Sequence, residues 1–384
     1  MGHEPRAIDE LMKTAALPFE SARAMPPSVY TSEEFLAQEQ EHIFGKEWFC
    51  VGRASAMQEP GDYVAVELAG QPIAVVRGRD GDLRAMSNVC LHRMSTLLEG
   101  RGNTRSIVCP YHAWTYNLDG TLRGAPEMQR NDGFCKADYK LGDIRCEEWL
   151  GWVYVTLDPD TPPVAQQLAP LADLIGDYGM ENYVETFNET HVWDTNWKVL
   201  AENYMESYHL PVCHKGTVGP FTDLAQVDCP PGHPHFNIHW FTKEAELAIG
   251  NAHPDNTRLT GIMRKTSALI SIYPSHMVTL TPGYFWYLCL QPDGVGRVKM
   301  IFGGGFDPHF MGDPKAIEYN ETLKAILDDV NVEDRGCTEK VYRGLLSRMA
   351  APGHLSHLER PNYDFAQYLS GRIAPAATNQ GPNT

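Results

Sequence analysis

The chain has 384 residues, 43% of them hydrophobic and 10% aromatic, the make-up of a globular protein with room for two or three domains. It carries 49 acidic against 32 basic side chains, a net charge of -17, and so lacks the basic surface that nucleic-acid phosphates demand. No apolar run approaches the roughly 20 residues that cross a bilayer, and Met1-Gly2-His3-Glu4-Pro5-Arg6 lacks a signal core, so the chain reads as a cytoplasmic protein with no membrane partner.

Residues 1 to about 30, with Pro18, Pro26 and Pro27, read as an irregular arm. Thr31 then caps a helix running to about Ile43, with Glu34 closing a capping box. Arm and helix, residues 1–45, are expected to pack on the larger domain that follows later in the chain. From Trp48 to about Leu157 the pattern changes to short β-like runs such as Tyr63 to Leu68, Pro72 to Arg77, Ser106 to Val108 and Trp152 to Leu157. Asp80-Gly81 and Asp119-Gly120 are hairpin turns between such runs. Residues 46–158 therefore form a small antiparallel β domain. Asp158-Pro159-Asp160-Thr161-Pro162-Pro163 reads as a linker.

Residues 164–384 mix both periods. Asn196 to Leu210 reads as a helix with Trp197, Leu200, Ala201 and Tyr204 on one face. Strands are expected at His235 to Phe241, Ala268 to Tyr273, Met277 to Thr281, Tyr284 to Gln291 and Arg297 to Phe302. A long helix spans about Pro314 to Arg348, and the tail after Arg372 reads as mobile. Strands followed by helices make this an α+β domain, an antiparallel sheet with helices against it.

Two stretches carry chemistry. Inside the β domain, Cys90-Leu91-His92 and Cys109-Pro110-Tyr111-His112 form the pattern C-x-H-x16-C-x2-H. Zinc fingers pair two Cys in one half and two His in the other. Here each half offers one of each, which suits a two-iron, two-sulfide cluster with thiolates on one iron and imidazoles on the other. Neutral imidazoles raise the potential of such a cluster, and it relays one electron at a time. The remaining cysteines, Cys50, Cys135, Cys146, Cys213, Cys229, Cys289 and Cys337, read as reduced thiols of a cytosolic protein.

The second stretch runs from Glu202 to His214. On a helix, Glu206 and His209 share a face. Pro211 breaks that helix after His209 and redirects the chain, so that His214 can turn toward the same metal. Two His and one carboxylate make the facial triad of Fe(II) oxygenases. Asp328, Asp329, Glu333 and Asp334 are the acids available further on, although this run also reads as a solvated helix face. Asn203 reads either as support for the site or as a surface amide. His235 and His239 alternate with Asn237 on a strand and read either as pocket residues or as structural ones. Tyr284-Phe285-Trp286-Tyr287 either offers aromatic faces to a cation or packs the sheet.

Cys90-x-His92, Cys109-Pro-Tyr-His112-Ala-Trp-Thr-Tyr and the motif at 206–214 together resemble the oxygenase alpha subunits of Rieske non-haem iron oxygenases, over residues 30 to 370 or so. The resemblance implies a small antiparallel β Rieske domain beside a larger helix-grip-like catalytic domain. It implies a Rieske 2Fe-2S cluster held by Cys90, His92, Cys109 and His112, and a mononuclear Fe(II) held by His209, His214 and an acid that falls on Asp334. It implies a homotrimer in which Glu206 bridges its own His209 and the His112 of a neighbouring chain. Electrons would come from NADH or NADPH through a separate flavin or iron–sulfur reductase, with or without a ferredoxin, and would be used with O2 on a small-molecule substrate. Ring dihydroxylases usually carry Asp where this chain has Glu206, whereas choline, glycine betaine and carnitine oxygenases carry Glu. That favours hydroxylation or N-demethylation of a small quaternary ammonium or betaine compound. The rival within the family is hydroxylation, dihydroxylation or O-demethylation of an aromatic acid. A cluster-only electron carrier would leave residues 206–214 without a purpose, and a zinc-stabilised module would contain no iron.

Overall fold

The structure, a computed structural model, describes residues 6–243 and 249–379. It divides into two compact units, one of residues 44–165 and one of residues 1–43 with 166–384.

The unit of residues 44–165 is antiparallel β. One sheet runs, in spatial order, through Phe49–Arg53, Trp152–Thr156, Asp143–Trp149, Leu83–Ser87, Gln71–Arg77, Asp62–Leu68 and Arg101–Asn103. A three-stranded sheet of Ile107–Val108, Thr115–Tyr116 and Leu122–Gly124 stands beside it. The hairpin turns fall at Asp80-Gly81 and Asp119-Gly120, with φ of +89° and +83° at the glycines, conformations that favour residues without a Cβ. Ile107, Trp114, Tyr116, Leu122 and Leu141 close a core around Cys90 and Cys109.

The second unit holds a seven-stranded antiparallel sheet in the order Val184–Trp193, Val298–Phe306, Tyr284–Pro292, His276–Leu280, Thr266–Ile272, Phe236–Thr242 and Val227–Asp228. Helix Trp197–Met205 lies against it, and Tyr204 Oη is 3.0 Å from Thr279 Oγ1 across that contact. The long helix Ala316–Leu345 packs on Trp197–Met205. The N-terminal segment is tied to the same helix: Lys198 Nζ pairs with Glu39 at 2.8 Å in the interior, and Trp197 Nε1 donates to Glu39 Oε2 at 3.2 Å. Helix Arg360–Asn379 packs on Ala7–Ala15.

Several expectations are corrected. The N-terminal arm is not irregular; it contains the helices Ala7–Ala15 and Pro27–Thr31. The cap of the next helix, Glu33–Glu39, is Ser32, whose Oγ accepts from Phe35 N at 3.1 Å. Thr31 belongs to the preceding helix and donates its hydroxyl to Pro27 O at 3.0 Å. Strand Val184–Trp193 was not expected. It lies at the sheet edge and carries the half-buried polar residues Glu185, Glu189 and His191, held by Tyr287, by Lys324 and by each other, and so it lacks apolar alternation. The tail continues as helix to Asn379, anchored by the buried Phe365, Leu369 and Ile373, which recur every four residues.

Candidate metal centres

The first centre is built from two loops with one hydrogen-bond pattern. Cys90 O accepts from Met94 N at 3.0 Å and Cys90 N donates to Ser95 O at 2.8 Å. Cys109 O accepts from Ala113 N at 3.0 Å and Cys109 N donates to Trp114 O at 2.8 Å. The fourth residue after each cysteine is left-handed, with φ of +53° at Met94 and +58° at Ala113. A non-glycine residue there costs about 1–2 kcal/mol, which such loops retain where function requires the turn. Both thiols are buried. Burial raises the Cys109 pKa, but backbone N–H groups of Tyr111 and His112 and the side chains of Cys90 and Ser95 outweigh it and bring it below the ordinary value. This favours the thiolate, the form that ligates metal. Leu91 N donates to Tyr116 Oη at 3.0 Å, and that oxygen is 3.4 Å from Cys90 Sγ.

The two imidazoles stand 4.7 Å apart, and His92 stacks on Trp114 at 5.0 Å. His92 Nδ1 is buried with no hydrogen-bond partner among the described residues. Two buried thiols, an unsatisfied imidazole nitrogen and an adjacent second imidazole fit a cluster with two cysteine and two histidine ligands. His112 is exposed, within an apolar rim of Leu91, Met94 and Tyr111.

The second centre lies in the larger unit. Helix Trp197–Met205 stops because Glu206 turns to extended backbone, φ -133° and ψ 154°. The helix expected to run through Leu210 therefore ends at Met205, and Pro211 sits within the first turn of a separate helix, Leu210–Cys213. Glu206 and His209 do not share a helix face. The carboxylate instead folds over the turn: Oε2 accepts from His209 N at 3.0 Å, and Oε1 is 2.6 Å from His209 Nδ1. Ser207 Oγ meets the buried His239 Nε2 at 3.1 Å and fixes the other side of the turn.

Three donor atoms then converge. His209 Nε2 and His214 Nε2 are 3.2 Å apart, and Asp334 Oδ1 lies 3.5 Å and 3.0 Å from them. Two ligands about 2.1 Å from a metal and at right angles stand about 3 Å apart, so the spacing fits one ion bound on one face. Asp334 lies within helix Ala316–Leu345. Buried Leu323, Leu327, Val330 and Thr338 form its inner stripe, and Asp334 occupies the next position of that spacing. Asp328 instead pairs with Lys324 on the outside, and Glu333 takes another role. Glu333 Oε2 accepts from Thr217 Oγ1 at 2.6 Å and holds His214 Nδ1 at 2.8 Å. With Nδ1 of each imidazole engaged by a carboxylate, each Nε2 is left facing inward, free to ligate once a metal displaces its proton. Burial lowers the His209 pKa, but Asp334 and Glu206 outweigh it and lift it to about 10. The surplus of negative charge is what a divalent cation would neutralise.

Asn203 Nδ2 is 3.2 Å from His209 Nε2, so its amide belongs to the site. His239 does not touch substrate space; burial lowers its pKa to about 3 and it serves the Ser207 turn. His235 is not on the cavity wall either. Beside the triad opens a cavity of about 870 Å³, within the range of small-molecule sites. Trp193, Tyr204, Phe241, Tyr284 and Trp286 supply aromatic wall, and Lys243 supplies a cation. Tyr284 and Trp286 face the cavity, while Phe285 and Tyr287 pack within the unit, so the aromatic run divides by strand alternation.

A cysteine–histidine cluster site in a β unit, with a two-histidine, one-carboxylate site under an aromatic cavity in an α+β unit, defines a Rieske non-haem iron oxygenase. The family models agree: residues 47–145 match the Rieske 2Fe-2S domain and residues 180–374 match the ring hydroxylating alpha subunit catalytic domain. The chain belongs to the ring-hydroxylating alpha subunits, the oxygenase subunits of these enzymes. It is 30% identical over 336 residues to the carnitine monooxygenase oxygenase subunit of Escherichia coli, covering 86% of each chain. It is 26% identical to the glycine betaine monooxygenase oxygenase subunit of Chromohalobacter salexigens, covering 99% of this chain and 96% of that one. The solved structure of a quaternary ammonium Rieske monooxygenase, described for carnitine oxidation by gut microbiota and for inter-subunit electron transfer, superposes with a TM-score of 0.79 at 25% identity, covering 96% of this chain and 98% of that one. The protein is an oxidoreductase whose cofactors are a Rieske 2Fe-2S cluster and a mononuclear iron.

Proposed function

We propose that this oxygenase uses O2 and electrons from a separate NAD(P)H-dependent reductase to hydroxylate or N-demethylate a small quaternary ammonium or betaine compound. The observation that carries the reading is the convergence of His209, His214 and Asp334 beside an aromatic-walled cavity. Aromatic faces attract quaternary nitrogen, and relatives named for carnitine and glycine betaine support the same class.

In this reading Cys90, His92, Cys109 and His112 hold the cluster, and His209, His214 and Asp334 hold the iron. When bound, the cluster supplies single electrons and the iron activates O2. The chain's own residues set the conditions. Glu206 Oε1 keeps the proton of His209 on Nδ1, and Glu333 Oε2 does the same for His214. The aromatic wall excludes water and orients the substrate. The working assembly is a homotrimer, in which Glu206 bridges its own His209 and His112 of the partner subunit. The exposed His112 and its rim of Leu91, Met94 and Tyr111 support such a contact. Nine cysteines held as thiols support a cytoplasmic setting, and no helix among the described residues is long and apolar enough to cross a membrane.

A single turnover tests the reading. The protein is reduced chemically without oxygen, then exposed to O2 with a panel of betaines, choline and aromatic acids, and products are identified by mass. Oxidation or demethylation of a quaternary ammonium compound is expected. Products from aromatic acids alone would overturn the substrate class and leave the oxygenase chemistry standing.

A further inference from the structure

Lys243 follows the cavity strand Phe236–Thr242 and lines the cavity. Among the described residues its ammonium has neither a carboxylate partner nor a hydrogen-bond acceptor. Its neighbour is the ring of Tyr284, whose centroid is 5.6 Å from Nζ. The head group is closely seated, since a Cβ built on Gly250 would stand 2.8 Å from Nζ. Burial alone lowers the Lys243 pKa to about 8. An unpaired, desolvated ammonium is costly, and an anion brought into the cavity relieves that cost.

The wall leading to Lys243 is aromatic. Asn203, whose amide meets His209 Nε2, is followed by Tyr204. Tyr204 meets Trp286 edge-on, with ring centroids 5.4 Å apart. Tyr284 is the next residue on the same side of the strand, about 7 Å along it. The order from the metal ligands is therefore aromatic wall first and ammonium last. The wall attracts a quaternary nitrogen, whereas Lys243 repels one and attracts an anion.

We propose that Lys243 is the subsite for a substrate carboxylate, so that the cavity selects a zwitterion with its quaternary nitrogen on the Tyr204–Trp286 wall and its carboxylate several bonds away. The quaternary half of this statement rests on the proposed function; the carboxylate half rests on Lys243 alone. Glycine betaine, with one carbon between its charges, is too short to use both ends, and choline has no carboxylate.

Binding to the iron-loaded, oxidised protein, measured by calorimetry without reductase, separates the two halves. The probes are γ-butyrobetaine, glycine betaine, choline and benzoate, and the variants are Lys243→Met and Lys243→Arg. Lys243→Met is expected to weaken γ-butyrobetaine roughly tenfold to a hundredfold while choline stays within about twofold. Lys243→Arg keeps the charge and is expected to retain most of the γ-butyrobetaine affinity. Unchanged γ-butyrobetaine binding in Lys243→Met would overturn the subsite and leave the proposed function intact. Equal loss of choline would also overturn it, because Lys243 would then be holding the cavity's shape. If the native protein bound benzoate through Lys243 and none of the quaternary compounds, the subsite would stand and the quaternary ammonium reading would fall.

Discussion

Two glutamates on neighbouring turns of the chain do opposite things. Glu206 is engaged at both oxygens by His209, at 3.0 Å and 2.6 Å, so its charge orients that imidazole. Replacing it by Gln keeps the shape and removes the charge. The expected result for Glu206→Gln is that both metals stay bound and reoxidation of the reduced cluster, followed by stopped-flow absorbance in O2 with substrate, slows roughly tenfold to a hundredfold. Normal single-turnover rates would refute the bridging role. Glu202, four residues earlier, accepts from Tyr30 Oη at 2.7 Å, and burial raises its pKa to about 7. A folded-state pKa above the unfolded one means that the native protein holds this proton where the unfolded chain has lost it. Stability from this group therefore falls as pH rises from about 4.5 to 7, and the penalty is complete above that window. Glu202→Gln can still accept from Tyr30. The variant is expected to match the parent near pH 4.5 and to be more stable by about 1–2 kcal/mol at pH 8, as read from denaturant midpoints.

At the scale of elements, the site depends on a break between two helices and on the loop that follows. Gly219 N donates to His214 O at 2.8 Å. A Cβ at Gly219 would stand 2.5 Å from His214 O and 2.7 Å from Leu210 O, both rigid backbone. Gly219→Ala must push helix Leu210–Cys213 away and carry His214 Nε2 off its 3.2 Å spacing to His209. The expected outcome is loss of most mononuclear iron with the Rieske absorption spectrum intact, and a stability cost of about 1–3 kcal/mol. Full retention of that iron would show that the loop gives way without moving His214. This break was not legible in sequence. Glu206-Ser207 has no glycine or proline to announce it, and the local helix breaker, Pro211, lies five residues further on. The contacts that stop the helix, Glu206 to His209 and Ser207 to His239, join a local turn to a strand more than 30 residues on. By contrast, strands such as Asp62–Leu68, Gln71–Arg77 and Thr266–Ile272 were legible because alternation and turn glycines are local signals, whereas the edge strand Val184–Trp193 lacks that alternation.

Over the whole molecule, two independent metal centres predict a simple stoichiometry. The native protein is expected to hold about three irons and two acid-labile sulfides per chain. His209→Ala is expected to lose one iron, and with it single turnover, while keeping the cluster's absorption and paramagnetic signals; loss of both centres would contradict the division into two sites. The sequence by itself determined the metal chemistry. Cys90, His92, Cys109 and His112 sit in short loops, where ligand type and spacing carry the information, and His209 and His214 are only five residues apart. What the tertiary structure decided was everything that depends on distant residues meeting. It brings Asp334 to His209 and His214, because Asp334 continues the 323–327–330–338 stripe of its helix, while Asp328 pairs with Lys324. It gave Glu333 to His214 Nδ1 and set Lys243 in the same cavity as the triad. A ligand or a charge acquires its role from the groups within a few ångströms of it, and for Asp334, Glu333 and Lys243 those groups come from elements far apart in the chain.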